Sequence, residues 1–341
     1  MKGKTIDPIK PWFFAAKELG EFIGIRFGHL SFRSEHPEWH YLPHTDYDGI
    51  GGLAHLLRER GATLNSLPQI KHPTKSSWFC MLRLLAKFLE SRTQPKWAKL
   101  SQGLPTNSAS FPPPAVSYYV FSETVTTQIR KICRKTNITV NSFLLKHLNK
   151  ATRPSLEDHS SIVPWMVPVN LRGKVTRSLD TENHSSYVGI RIKSFETASD
   201  IHRKIYRALG NGEHWANWHA YKLGAILPQS LCRYLIAKNL CMSQLSVGSF
   251  SNLGDWDPKK EISSESCQGS WLFAPPVLRC QHLGVGCVTF QNKLSLTIQV
   301  HPDLTTDPEV PKAWIHAWIK EIELDLVSVL AESVIVPIVA A

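Results

Sequence analysis

His44-Thr45-Asp46-Tyr47-Asp48-Gly49-Ile50-Gly51-Gly52-Leu53 is the stretch on which the reading of this chain turns. A histidine stands four residues ahead of an Asp-Gly pair, in a loop that opens into the helical spacing of Leu53, Leu56 and Leu57. Imidazole is a competent general base near neutral pH, a carboxylate orients its neighbours, and glycines let backbone approach a substrate without an obstructing Cβ. His44 is therefore the candidate base. Arg60-Gly61 predicts where the motif's helix stops. Just before the motif, Glu35-His36-Pro37-Glu38-Trp39-His40 is polar and turn-rich and predicts no strand. Earlier still, Trp12, Phe13, Phe14, Ala15, Ala16 and Leu19 carry helical spacing.

Downstream, Trp78, Met81, Leu82, Leu85 and Leu89 predict an amphipathic helix with a basic face. Between Thr93 and Pro114 the composition turns to Ser, Pro, Asn and Gln, ending in Phe111-Pro112-Pro113-Pro114. Those prolines resist helix and central strand alike, so a lobe-to-lobe crossover is expected there, with lobes over 1–110 and 115–330. Strands are predicted at 115–121, 162–169, 187–192, 247–252, 286–290 and 294–300. Helices are predicted after the N-caps Ser122 and Thr139, over 199–217, and over 314–326. Strands and helices mix without strict alternation, which predicts an α/β sandwich with mixed sheets rather than a doubly wound nucleotide fold. Trp215 and Trp218, beside His214 and His219, are read as a packed helix end or as a cap over an apolar chain.

The 341 residues suffice for one large domain or two ordinary ones, and 43% hydrophobic with 20% charged residues is a globular composition. A formal net charge of +11 favours acidic partners: a nucleotide-bearing cosubstrate, an acidic carrier protein or an anionic membrane. Nucleic acid is disfavoured, because Lys and Arg are scattered rather than clustered with aromatics. The seven cysteines form an odd count without a CxxC pair, which predicts reduced, buried thiols and a cytoplasmic setting. No apolar run is long enough for a signal peptide or a membrane span, so any membrane contact is expected to be peripheral.

Six pieces carry a resemblance: Phe121-Ser122, Thr139-Val140-Asn141-Ser142-Phe143-Leu144-Leu145, Val167 to Gly173, Asn183 to Val188, Ser249-Phe250-Ser251-Asn252-Leu253-Gly254 and Leu294 to Thr297. In this order and spacing, with the HxxxDG at His44 to Gly49, the chain resembles the HxxxDG acyltransferases, a superfamily that takes in chloramphenicol acetyltransferase, peptide-synthetase condensation domains and wax ester synthases. The resemblance implies an α/β fold of two lobes and mixed sheets, with an active-site tunnel between the lobes. It also implies a metal-independent transfer of an acyl group from a thioester to a hydroxyl or amine, with His44 as general base. Coenzyme A or an acyl carrier protein would be the donor and a small molecule or lipid the acceptor, with no cofactor tightly bound. Asp48 would play a structural part paired with Arg172, Gly49 would allow the tight turn into the helix, and Asn170, Ser251 and Asn252 would bind substrate, Ser251 and Asn252 lining the tunnel near the tetrahedral intermediate. Only 43 residues precede His44, fewer than relatives carry, which predicts a shortened first lobe, left open or completed by a second chain or a carrier protein. Position 43 is proline, so the tandem histidine of the condensation and wax-ester branches is absent.

Two other readings stand beside it. The motif also resembles that of the metal-dependent DHH phosphoesterases, with His44, Asp46 and Asp48 as ligands to divalent cations. That reading wants a preceding strand and a later Asp-His-His triplet, and the chain has no such triplet. The other is a non-catalytic, condensation-like binding protein.

Overall fold

The structure is a computed structural model that describes residues 9–21, 23–64, 66–70, 96–102, 114–160, 162–241, 246–256 and 269–334. The amphipathic helix expected over 78–89 and most of the proline-rich crossover lie outside the described residues.

Two mixed α/β layers result. A six-stranded sheet runs β3 (Ala115–Val120), β9 (Lys293–Val300), β8 (Leu283–Phe290), β6 (Gly248–Trp256), β4 (Val163–Asn170), β5 (Ser185–Ile192). β6 is parallel to both β4 and β8, and the remaining pairs are antiparallel. One face of this sheet is covered by helices α3 (Glu123–Lys135), α4 (Val140–Thr152), α5 (Ala198–Gly210) and α8 (Glu309–Val334). Their apolar stripes, Ile129 and Ile132, Leu144 and Leu148, Ile201 and Ile205, Trp318 and Ile322, join Trp165, Phe250 and Val285 of the sheet in the main core. Side-chain caps start three of these helices, with Ser122, Thr139 and Thr197 accepting from the backbone three residues on.

The opposite face meets a three-stranded sheet, β2 (Glu38–Pro43), β1 (Gly24–Leu30), β7 (Ser270–Ala274), and the motif helix α2 (Gly49–Glu59). Phe27, Leu53, Leu57, Leu253, Phe273 and Val288 form this second core. β7 crosses over β8, where a Cβ on Gly286 would lie 1.7 Å from the Phe273 carbonyl oxygen and one on Gly284 would lie 2.3 Å from that of Pro275. Ser295 Oγ and Gln299 Nε2 hold the crossing by donating to the carbonyls of Trp271 and Pro275.

Several elements, β1 among them, differ from the sequence reading. Glu38–Pro43 is a strand after all: as an edge strand paired only with β1 it needs no apolar run, and Trp39 and Tyr41 supply the β preference. The helix expected over 199–217 is two, α5 and α6 (Glu213–Leu223), because Gly212 adopts φ +71 and turns the chain. α1 (Lys10–Glu18) forms as expected, but its partner α7 (Gln229–Cys241), like β7, was not anticipated. The link between β8 and β9 is a two-residue turn with Gln291 and Asn292 at φ +47 and +62, the hairpin geometry matching strand twist. Cys133, Cys232, Cys280 and Cys287 are buried and unpaired, and burial raises the pKa of all four, that of Cys133 and Cys280 to about 12, which disfavours the thiolate.

Candidate active site

Asp48 caps α2, its Oδ1 accepting from Gly51 N at 2.8 Å. The same carboxylate takes both guanidinium nitrogens of Arg172, at 2.7 and 2.8 Å, and the backbone N–H of His184 at 2.8 Å. Both side chains are buried, with 3% and 5% of the arginine and aspartate exposed, so the pair is compensated by geometry rather than by water. Arg172 spends its other donors on the carbonyls of Asp180 and Glu182 and on Asn170. Loop 180–184 is thereby clasped to the motif: Tyr47 bridges to Glu182, and Asn183 donates to the carbonyl of His44 at 3.1 Å.

The glycines make this clasp possible. A Cβ on Gly51 would sit 1.9 Å from the Thr181 carbonyl oxygen, one on Gly52 would strike the Phe27 ring, and one on Gly49 would lie 2.5 Å from Leu253. Gly49 is the first residue of α2 and lacks a positive φ. Its lack of a side chain lets β6 and β7 press against the helix start.

His44 follows β2 directly. Its Nδ1 lies 2.7 Å from the carbonyl oxygen of Tyr47, its backbone N–H donates to Ile23, and its ring packs at 5.0 Å from that of Phe13 on α1. A carbonyl can only accept, so Nδ1 carries the proton and the neutral ring has its lone pair on Nε2. Burial lowers the imidazole pKa, partly opposed by the Tyr47 carbonyl and by the Asp48 charge. The ring is thus oriented and held neutral, as a base requires.

The remaining candidates separate. Ser251 is buried on the face of β6 that also carries Leu253, toward the motif helix. Ser249 shares that face. Its hydroxyl is buried and lacks a hydrogen-bond partner among the described residues, a signal visible only once the strand register is known. Asn252 points the other way, donating to Asn141 at 2.7 Å beside a cavity of about 240 Å³ that Arg130 and Asp255 also line. Asn170 donates to Pro68 and accepts from Arg172, which leaves its amide engaged. Asn252 thus lies on the helix face of β6, and Asn170 supports Arg172. Trp215 and Trp218 are buried against Ile9 and Leu171, as a packed helix end. Asn183 and His184 both fasten the motif, one by donating its amide to the His44 carbonyl and the other by donating its backbone N–H to Asp48.

Asp46 leaves the site, pairing with Lys10 at 2.8 Å. β2 does precede the motif, as a metal-dependent phosphoesterase would have it, but the two aspartates diverge and Asp48 is saturated by nitrogen donors. Among the described residues no group of three or more His, Cys, Asp or Glu side chains has the geometry to hold a metal ion.

Burial also lowers the pKa of His147 and His184, and takes that of His282 to about 4. The folded protein binds these protons less readily than the unfolded chain, whose histidines titrate near about 6.5. Their contribution is complete above that value and is lost as pH falls toward about 4. Urea midpoints should be level on the neutral side and fall steadily on acidification through this window.

No family model matches the chain, and no curated protein sequence matches it. Solved structures do. The trichothecene 15-O-acetyltransferase TRI3 from Fusarium sporotrichioides is 13% identical over 94% of this chain and 75% of its own, with a TM-score of 0.55. Polyketide synthase associated protein 5 from Mycobacterium tuberculosis is 14% identical over 85% and 74%, with a TM-score of 0.52. The EpoB cyclization-docking bidomain of a peptide synthetase from Sorangium cellulosum is 12% identical over 81% and 57%, with a TM-score of 0.52. At these identities the likeness establishes the fold, that of the condensation domains and chloramphenicol acetyltransferase-like acyltransferases.

Proposed function

We propose that the chain is an acyltransferase that moves an acyl group from a thioester, on coenzyme A or a carrier protein, to a hydroxyl or amine. The observation that carries the reading is His44: a ring whose Nδ1–H is spent on the Tyr47 carbonyl, leaving Nε2 as base, in a loop anchored by the buried Asp48–Arg172 pair. In this reading Nε2 removes the acceptor's proton as its oxygen or nitrogen attacks the thioester carbonyl. The tetrahedral oxyanion takes hydrogen bonds from Ser251 and from the unpartnered Ser249 hydroxyl. Collapse breaks the carbon–sulfur bond, and the imidazolium returns its proton to the departing thiolate. The proton, the acyl group and the electron pair are all accounted for without a metal or a resident cofactor.

The fold shared with an acetyltransferase supports the reading, and the net charge of +11 suits a phosphate-bearing or acidic thioester donor. The test is to incubate the protein with acyl-coenzyme A of graded chain length and with acyl carrier protein, over a panel of alcohols and amines. Free thiol would be read by colour and the ester or amide by mass. Acceptor-dependent thiol release is the expected result. Phosphoester cleavage dependent on added manganese and abolished by chelator, without thiol release, would overturn it.

A further inference from the structure

The corner where α6 runs into α7 exposes several large apolar side chains. Of the 13 large apolar side chains exposed among the described residues, Leu223, Ile226, Leu231 and Tyr234 fall within this one short segment. Ile226 is 76% and Tyr234 61% exposed. Along 229–238 of α7, Cys232 is buried and the other side chains stand wholly or partly in solvent. The helix leans on α1 across a groove of about 560 Å³ lined by Glu18, Leu19, Gln229, Arg233, Tyr234 and Ala237. Phe14, 50% exposed, stands on α1 one turn before Glu18.

After Glu213, the α6–α7 segment itself carries charge of one sign. From His214 to Gly254 the chain contains neither Asp nor Glu. Lys222, Arg233 and Lys238 are exposed there, and Lys17 is exposed on α1. None of the four has an ion-pair partner among the described residues. Glu18 is the one carboxylate lining the groove.

We propose that the α6–α7 corner docks the protein on an anionic lipid surface. Exposed apolar side chains gathered at one corner mark a surface that is covered in use. Tyrosine suits the water–lipid boundary, with an apolar ring and a polar tip, and the lysine and arginine stems lie along apolar surface while their charges reach the headgroups. Apolar contact supplies insertion and the uncompensated cations supply attraction to anionic lipid, the two signals a peripheral helix needs. α1 connects this corner to the site, since Phe13 packs on His44 while Trp12 donates to the Tyr221 carbonyl of α6 at 2.9 Å. The lipid surface therefore lies one helix away from the imidazole. Docking itself does not depend on the chemistry proposed for His44.

The test is flotation of the full chain with phosphatidylcholine vesicles, alone and with about 30% phosphatidylserine. The protein should float with the anionic vesicles and leave them as salt is raised. Ile226→Ser with Tyr234→Ser should lower partitioning by about tenfold or more. Arg233→Glu with Lys238→Glu should do the same on anionic vesicles, through charge alone. Both pairs alter exposed positions, and circular dichroism melts matching the parent establish that each is folded. His44→Ala should float like the parent, which separates docking from catalysis. The proposal is overturned by failure to float with either vesicle, or by flotation that both double variants leave unchanged. It is equally overturned if, without vesicle binding, the corner mediates a dimer or captures an acidic carrier protein and loses that contact in the Ile226/Tyr234 variant.

Discussion

His44→Ala should lower kcat/KM for acyl transfer by about 10²- to 10⁴-fold, the usual worth of a positioned general base. Stability should change little, because the ring is half-buried and contributes one hydrogen bond, to Tyr47, and one ring contact, to Phe13. His44→Asn is the sharper variant. Its amide can still donate toward the Tyr47 carbonyl but has no basic nitrogen, so it should be as inactive as alanine while melting with the parent. Because burial lowers the pKa of His44, the acidic limb of kcat/KM in the parent should lie below the ordinary imidazole value of about 6.5. Either variant turning over at the parent's rate would remove His44 from the mechanism.

Arg172→Ala should cost about 3–5 kcal/mol, because it leaves the Asp48 carboxylate buried without its counterion. A fall in the thermal midpoint of roughly 10 °C is expected. The carboxylate would keep two backbone donors, Gly51 and His184, which is too few for a buried charge. Asp48→Asn should also destabilise, by turning an amide N–H toward the guanidinium. Activity should fall with either change, since Asn183 holds the His44 carbonyl from the loop that Arg172 fastens. Adding Asp48→Asn to Arg172→Met should recover part of the lost stability, because the uncompensated charge is then gone. If the single and double variants show additive losses, the pair is not coupled and the clasp is misread.

Most helices and central strands were legible because their signals are local. Ser122 and Thr139 cap helices where a hydroxyl precedes an apolar period, and the 294–300 strand is a β-branched and leucine-rich run. β2 was illegible because an edge strand can be half polar and end in Pro43. β7, Ser270–Ala274, is short, and its place is set by a neighbour distant in sequence. α7 lacks a clear polar face because its apolar side chains are not all buried. At the site, the four-residue spacing of His44 and Asp48 is readable from the chain. The partner Arg172 came from the resemblance to a family. The contributions of His184 N and the Thr181 and Glu182 carbonyls were beyond reach, since a backbone group leaves no mark in the sequence. The same applies to Ser249, whose face depends on strand register.

The crossing of β7 has a consequence for how the chain comes to be folded. β1 gains its second neighbour by pairing Arg26 with Ala274 and Leu30 with Ser270, so the sheet beside His44 is finished with residues distant in sequence. Contacts of such separation form late, because the intervening chain must be ordered before they repay its entropy. During synthesis, α1, β1 and the motif precede β7 by most of the chain described between them, and their sheet cannot close before β7 is made. The sheet beside His44 therefore closes only after a long stretch of intervening chain has been ordered.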